Sequence, residues 1–341
     1  MRQVWITKAG PPEVLQVRET PDPEPGASEV RIRVEAAGVN FADVLARMGL
    51  YPDLPGIPIV VGYEVAGRVD AVGSEVSKDW VGKEVVALTR FGGYSDVTCV
   101  PEDQVFLRPQ GMGPLEGAAL PVNYLTAYQL IVVMGGLRRG ETVLVHAAAG
   151  GVGIACVQLA RHVGARVIGT ASASKHDFLR QLGVEHCIDY TTEDFEPRVL
   201  ALTEGKGVEL ICDAVGGKSF SKGFRVLSAT GRLGMFGISS AATGKSRRYW
   251  DFIKTIAAMP WFKANPVTLM NQNKGIFGVN MGRMWHETKR IRGWMDDLLD
   301  LHAQGAIKPH VDRAFSFADA PAAHHYIQER KNIGKVLLVP G

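Results

Sequence analysis

The run HAAAGGVG, His146 to Gly153, follows the β-branched stretch TVLV and opens an alanine-rich one. Set against the spacing G-x-G-x-x-G, it puts Ala148, Gly150 and Gly153 at the three positions that need a small residue, with Ala149, Gly151 and Val152 between them. Small residues let a chain turn sharply from strand into helix and bring its backbone up to a pyrophosphate. The free N–H groups and the dipole of the helix start then favour that negative charge. A glycine spacing alone is a weak signal, but one inside a strand–turn–helix–strand unit predicts a dinucleotide site. The tip of the next strand selects the dinucleotide. A carboxylate about 20 residues past the turn marks a ribose with free hydroxyls. This strand instead ends GTASASKHD and offers Thr170, Ser172 and Lys175. Hydroxyls and an ammonium suit a 2′-phosphate, so NADPH is the expected cofactor. Asp177 falls two residues into the following helix and reads as a capping or solvated charge.

Such a turn needs a parallel sheet to hold it. From Thr142 onward, TVLVHAA, ARVIGTA, HCIDY, VELICDAV and GRLGMFGI alternate with helical stretches, the pattern of a doubly wound α/β sheet, and GIFGVNM at 275–281 adds a sixth strand. Ahead of Pro121 the texture differs. VRIRVEAAGV, PIVVGYEVAGRVDAVG and KEVVALT are short, valine-rich and punctuated by Gly or Pro, which predicts a compact β-rich unit. Between the last two strands, residues 239–274 combine Lys245, Arg247 and Arg248 with Tyr249, Trp250, Trp261 and Phe262. That stretch reads as a packed helix or dimer contact, as a substrate lid, or as an interfacial membrane patch.

Length and composition bound the rest. A chain of 341 residues has the length of two domains or one large one, and with 46% apolar residues and 38 Lys plus Arg against 35 Asp plus Glu it is neither disordered nor a nucleic-acid binder driven by bulk charge. Cys99, Cys156, Cys187 and Cys212 form no C-x-x-C pair, which argues for a reducing compartment and against a cysteine-rich zinc site. MRQVWITKAGPPEVL lacks the apolar core of a signal peptide, so a cytoplasmic location is expected. Residues 117–137 and 142–160 carry no charge, yet Pro121, Asn123 and the glycines break them, and buried core is the expectation rather than a transmembrane segment.

With these residues in hand, the chain resembles the medium-chain dehydrogenases/reductases nearly end to end, in their zinc-independent quinone oxidoreductase group. AAGVNFADVLARMGLYP, VVGYEVAGRV, LPVNYLTAY, HAAAGGVG and NIGKVLLVPG carry the resemblance. GTASASKHD, GAIKPHVD and the tail are most similar to the synaptic-vesicle membrane protein homologue branch. The resemblance implies a GroES-like catalytic domain, residues 1–121 with 306–341, around a Rossmann domain, 122–305, with an extra segment near 240–274. It also implies a homodimer.

Residue by residue, the resemblance puts Asn40, Asp43, Tyr51 and Tyr63 near the nicotinamide as the catalytic set. Thr126, Phe277, Val279 and Asn332 match contacts to the nicotinamide half, and Tyr190 the aromatic on adenine. Val215, Phe236 and Gly237 end the fourth and fifth strands, where a doubly wound sheet places its ligand. Tyr190 and Phe277 read equally well as core aromatics. Zinc members of the family carry a cysteine and a histidine where this chain has Asn40 and Tyr63, an amide and a phenol that ligate zinc poorly. The pair His324–His325 cannot share a helix face and reads as surface decoration, so no metal is expected. Without zinc to polarise an alcohol, the expected activity is NADPH-dependent reduction of a quinone or enone, resting on orientation and hydrogen-bond donors. A regulatory NADPH-binding protein with little turnover, or a peripheral membrane contact through residues 245–263, stays open as an alternative.

Overall fold

A computed structural model describes residues 1–242 and 266–341. The basic and aromatic stretch 245–263, with its three readings, lies outside the described residues.

The amino-terminal part is β-rich. β1 (Arg2–Ile6) and β2 (Leu15–Glu19) pair antiparallel, and β3 (Glu29–Val39) runs into α1 (Phe41–Arg47). Along β3, Val30, Ile32 and Val34 are buried while Arg31 and Arg33 face outward and share Asp70 at 2.8 and 2.6 Å. This is the period-two alternation of a sheet with one face in the core. β4 (Ile59–Val60) pairs with β1, and β5 (Glu64–Val72), β6 (Glu84–Leu88), β7 (Val97–Pro101) and β8 (Val105–Leu107) build a sheet around β3. Two helices that both begin at proline follow, α2 (Pro114–Ala118) and α3 (Pro121–Tyr128); proline suits a first turn whose N–H has no helical partner.

β9 (Thr142–Val145) leads through the glycine turn to α4 (Gly151–Val163), which Gly164 ends in the left-handed region at φ 85°. Next come β10 (Arg166–Ala171), β11 (His186–Asp189), β12 (Val208–Asp213), β13 (Leu227–Met235) and β14 (Gly275–Gly278). Their spatial order is β11-β10-β9-β12-β13-β14, with parallel pairing throughout. β9 is buried along its whole length because helices cover both faces. Leu144, with no exposed surface, sits in the core on one face; truncating such a residue to Ala costs roughly 2–5 kcal/mol. The opposite face shares its core with Ala36, Ala66, Val86 and Phe106 of the β-rich sheet.

At the carboxyl end, β15 (Val311–Ser316) pairs parallel with β16 (Lys335–Val339), and β16 pairs antiparallel with β3, Val336 opposite Val39. The last residues therefore complete the first sheet. The chain is an α/β protein in which a GroES-like β unit adjoins a doubly wound, Rossmann-type parallel sheet. The charge-free stretches 117–137 and 142–160 are cut into separate elements, and no helix among the described residues is long and apolar enough to cross a membrane. All four cysteines are free thiols.

Candidate functional site

A cleft of about 500 Å³ opens at the carboxyl ends of β9, β10 and β12, the crevice where an open α/β sheet binds its ligand. Ala149, Gly150, Gly151, Val152 and Gly153 line it. The glycines are needed for close approach. A Cβ on Gly153 would run into the carbonyl oxygen of Ala147, and one on Gly151 into the side chain of Asn123. Ala148 stands behind this wall, fully buried, with its N–H on the carbonyl of Thr170 at 3.0 Å.

The end of the cleft past β10 is basic. Lys175 and Arg330 line it, with Ser172, Tyr190 and Asn332. The Lys175 ammonium donates to the backbone carbonyls of Arg330 at 2.7 Å and Asn332 at 2.6 Å, and burial lowers its pKa. The Arg330 guanidinium carbon lies 5.7 Å from the centroid of the Tyr190 ring. Thr170 lines the cleft at the tip of β10. It is buried, with its hydroxyl 3.1 Å from His146 Nδ1 and accepting from the N–H of Ala147 at 3.3 Å. Asp177 is an exposed charge paired with Arg180 at 2.6 Å.

Val215 and Phe236 line the cleft beyond β12 and β13. Beneath them the fully buried Asp213 accepts from the N–H groups of Val215 and Gly216, at 2.6 and 3.2 Å, and from the Ser219 hydroxyl at 2.6 Å. Gly237 sits just behind, close enough that a Cβ would press on the Ala214 carbonyl. Thr126, Phe277 and Val279 do not line this cleft. Thr126 returns its hydroxyl to the Val122 carbonyl at 2.7 Å, Phe277 lies over Gly234, and Val279 is buried.

The far corner of the cleft holds Asn40. Its amide oxygen accepts from the Lys335 ammonium at 2.7 Å, and its amide nitrogen donates to Glu64 Oε1 at 3.0 Å. Lys335 also contacts Glu64 Oε1 directly. Asp43, expected among the catalytic groups, has no exposed surface. Its carboxylate accepts from the N–H of Asn40 at 2.7 Å, the N–H of Gly62 at 3.1 Å and the Tyr94 hydroxyl at 2.9 Å. Burial pushes its pKa up to about 7 against the pull of those donors. His324 is not surface decoration: it is wholly buried, with Nε2 3.4 Å from the Tyr94 hydroxyl, while His325 is the exposed member, 2.7 Å from Glu13. Tyr51 and Tyr63 stand beside this corner with ring centroids 5.9 Å apart, and Phe91 lies 5.6 Å beyond Tyr63. Burial raises both phenol pKa values, so both hydroxyls stay protonated.

Sequence reasoning missed His146, Lys218, Lys222, Arg330 and Lys335 as lining residues and Glu64 as their neighbour. Only the basic run ERKNIGK around Asn332 offered a signal for two of them.

The residues do not fit a zinc ion. An amide and a phenol stand at the two ligand positions, and the Asn40 oxygen already carries an ammonium, which repels a second cation. Among the described residues no group of three or more His, Cys, Asp or Glu is placed to hold a metal ion.

Family models match in two stretches, the alcohol dehydrogenase GroES-like domain over residues 26–110 and the zinc-binding dehydrogenase over residues 182–338. The human synaptic vesicle membrane protein VAT-1 homolog is 42% identical over 331 residues, 96% of this chain and 83% of the relative. The quinone oxidoreductase of Escherichia coli, solved in complex with NADPH, superposes with a TM-score of 0.87 at 30% identity over 100% of both chains. The CurK enoyl reductase superposes at 0.85 and 30% identity, over 100% of this chain and 99% of the other. By these matches the chain belongs to the medium-chain dehydrogenase/reductase family, in the zinc-independent quinone oxidoreductase group and the branch of the VAT-1 homologs.

Proposed function

We propose that the chain is an NADPH-dependent, zinc-independent reductase that passes hydride to a quinone or an α,β-unsaturated carbonyl compound. The observation that carries the reading is the charge at the tip of β10, where Lys175 and Arg330 stand in place of a carboxylate. Relatives solved with NADPH and as an enoyl reductase support it. The glycine turn and the basic Lys175–Arg330 end of the cleft support the same cofactor.

When bound, NADPH supplies the hydride. The acceptor takes it, and a proton completes the hydroquinone or the saturated carbonyl compound. In this reading the turn Ala148–Gly153 holds the pyrophosphate, Lys175, Ser172 and Arg330 hold the 2′-phosphate, and Asn332 contacts the nicotinamide half. Val215, Phe236 and Gly237 flank the nicotinamide half, with Thr126, Phe277 and Val279 shaping the wall behind it. The protonated hydroxyls of Tyr51 and Tyr63 are the donors for an acceptor oxygen that gains charge. Asn40 and Asp43 support the corner. Residues 1–121 with 306–341 form the acceptor-side domain and 122–305 the cofactor domain.

The test is oxidation of NADPH by purified protein over a panel of quinones and enones, with NADH in parallel. Turnover with NADPH strongly preferred is the expected result. Tight NADPH binding with no turnover across the panel would replace the enzyme by a binding role, and equal use of NADH would overturn the cofactor assignment.

A further inference from the structure

Nothing above gives Lys335 a task beyond its place in the cleft wall. Lys335 and Glu64 are 2% and 0% exposed and form an ion pair that stability alone does not call for, since a well-packed apolar pair serves as well. Every partner is specific. Glu64 accepts Lys335 and Asn40 Nδ2 on one oxygen and the N–H of Val122, at the head of α3, on the other at 2.7 Å. Gly38 makes the room, since a Cβ there would overlap the Glu64 carboxylate. The orientation of the Asn40 carboxamide follows from charge: an ammonium can only donate to its oxygen, and a carboxylate can only accept from its nitrogen.

Lys335 also ends a short strap across the cleft. The carbonyls of Arg330 and Asn332 accept from Lys175 at the basic end. The N–H of Gly334 donates to the Ala149 carbonyl in the glycine turn at 2.8 Å. Six residues thus touch the basic end, the turn and the Asn40 corner in order. We propose that Lys335 is a positioning residue: by locking the Asn40 carboxamide and Glu64 at the end of the 330–335 strap, it sets the acceptor corner in register with the bound cofactor. The proposal rests on the NADPH-reductase reading above. Hydride transfer demands reacting atoms about 3–3.5 Å apart, and a misplacement of about 1 Å can cost about a hundredfold in rate.

The test compares wild type with Lys335→Met and with the charge-balanced pair Glu64→Gln/Lys335→Met, which leaves no buried charge unpaired. NADPH affinity is read by fluorescence titration, kcat in the presence of a quinone that wild type reduces, and the primary isotope effect with deuterated NADPH. The double variant is expected to melt close to wild type and to bind NADPH within about threefold. Its kcat should fall about tenfold or more, with a larger isotope effect on kcat because hydride transfer has become the slow step. A double variant with kcat within about threefold of wild type overturns the positioning role, as does a loss of kcat matched by an equal loss of NADPH affinity. Wild type that neither binds NADPH nor reduces any acceptor overturns the reductase reading itself, and the positioning role with it.

Discussion

The glycine turn and the Asn40 corner of the cleft are built on opposite plans. At the glycine turn the wall is built from one contiguous run: Gly150, Gly151, Val152 and Gly153 sit at a helix start and line the cleft. At the Asn40 corner the wall is side chain: Asn40, Glu64 and Lys335 come from three distant segments, and their polar groups are spent on one another. The turn is a generic anion cradle whose tolerance is set by steric room. The corner is a closed electrostatic cluster whose tolerance is set by charge balance. Damage to the first should therefore appear in cofactor affinity, and damage to the second in stability and rate.

The largest effect expected is at the turn. Gly153→Val places a branched side chain where even a Cβ meets the Ala147 carbonyl. NADPH affinity should fall by about a hundredfold or more, equivalent to about 3 kcal/mol, as read by titration of the cofactor's fluorescence. Affinity within a few-fold of wild type would show that the turn does not carry the pyrophosphate.

Lys175→Ala separates the basic end from the turn. Losing a charge-assisted contact, roughly 1.5–3 kcal/mol, should weaken NADPH by about 10–150-fold. NADH should change by less than about threefold. Equal losses would mean that the Lys175 ammonium serves only the carbonyls of Arg330 and Asn332.

An effect of similar size, on stability, is expected from Asp43 beneath the corner. Its pKa is raised to about 7 in the folded chain, above its ordinary value of 3.8, so the folded state binds the extra proton between those values. The stability this proton brings is complete below about pH 4 and is lost as pH rises through about 7, roughly 1.4 kcal/mol per pH unit. Buried His146 and His324, whose pKa values burial lowers, act in the opposite sense, so the readout is a difference. Denaturant unfolding at pH 5 and 7.5 should show Asp43→Asn gaining about 2–3 kcal/mol relative to wild type at the higher pH. A pH-independent difference would mean that Asp43 is ionised throughout.

The smallest effect is expected from metal removal. Exhaustive chelation should leave turnover unchanged, and elemental analysis should find far less than one zinc per chain, given the ammonium on Asn40. A stoichiometric zinc whose loss abolishes activity would erase the contrast between this corner and a metal-bearing one.

The sequence by itself determined the turn, the order of strand and helix around it, and the lack of a carboxylate at the tip of β10. Each is a local property: periodicity and the size of a few contiguous residues dictate the backbone they adopt. It misjudged His324, because the rule that neighbours on a helix face apart says nothing about which of the two faces inward; packing against Tyr94 decides that. It could not reveal that the Thr170 hydroxyl is tied to His146, 24 residues earlier. Nor could it bring Lys335 to Asn40 and Glu64, 295 and 271 residues away. Those partners meet only because β16 pairs with β3, and strand pairing across so long a stretch leaves no local pattern to read. The glycine turn of this protein is written in neighbouring residues, whereas its Asn40 corner exists only once the chain has closed on itself.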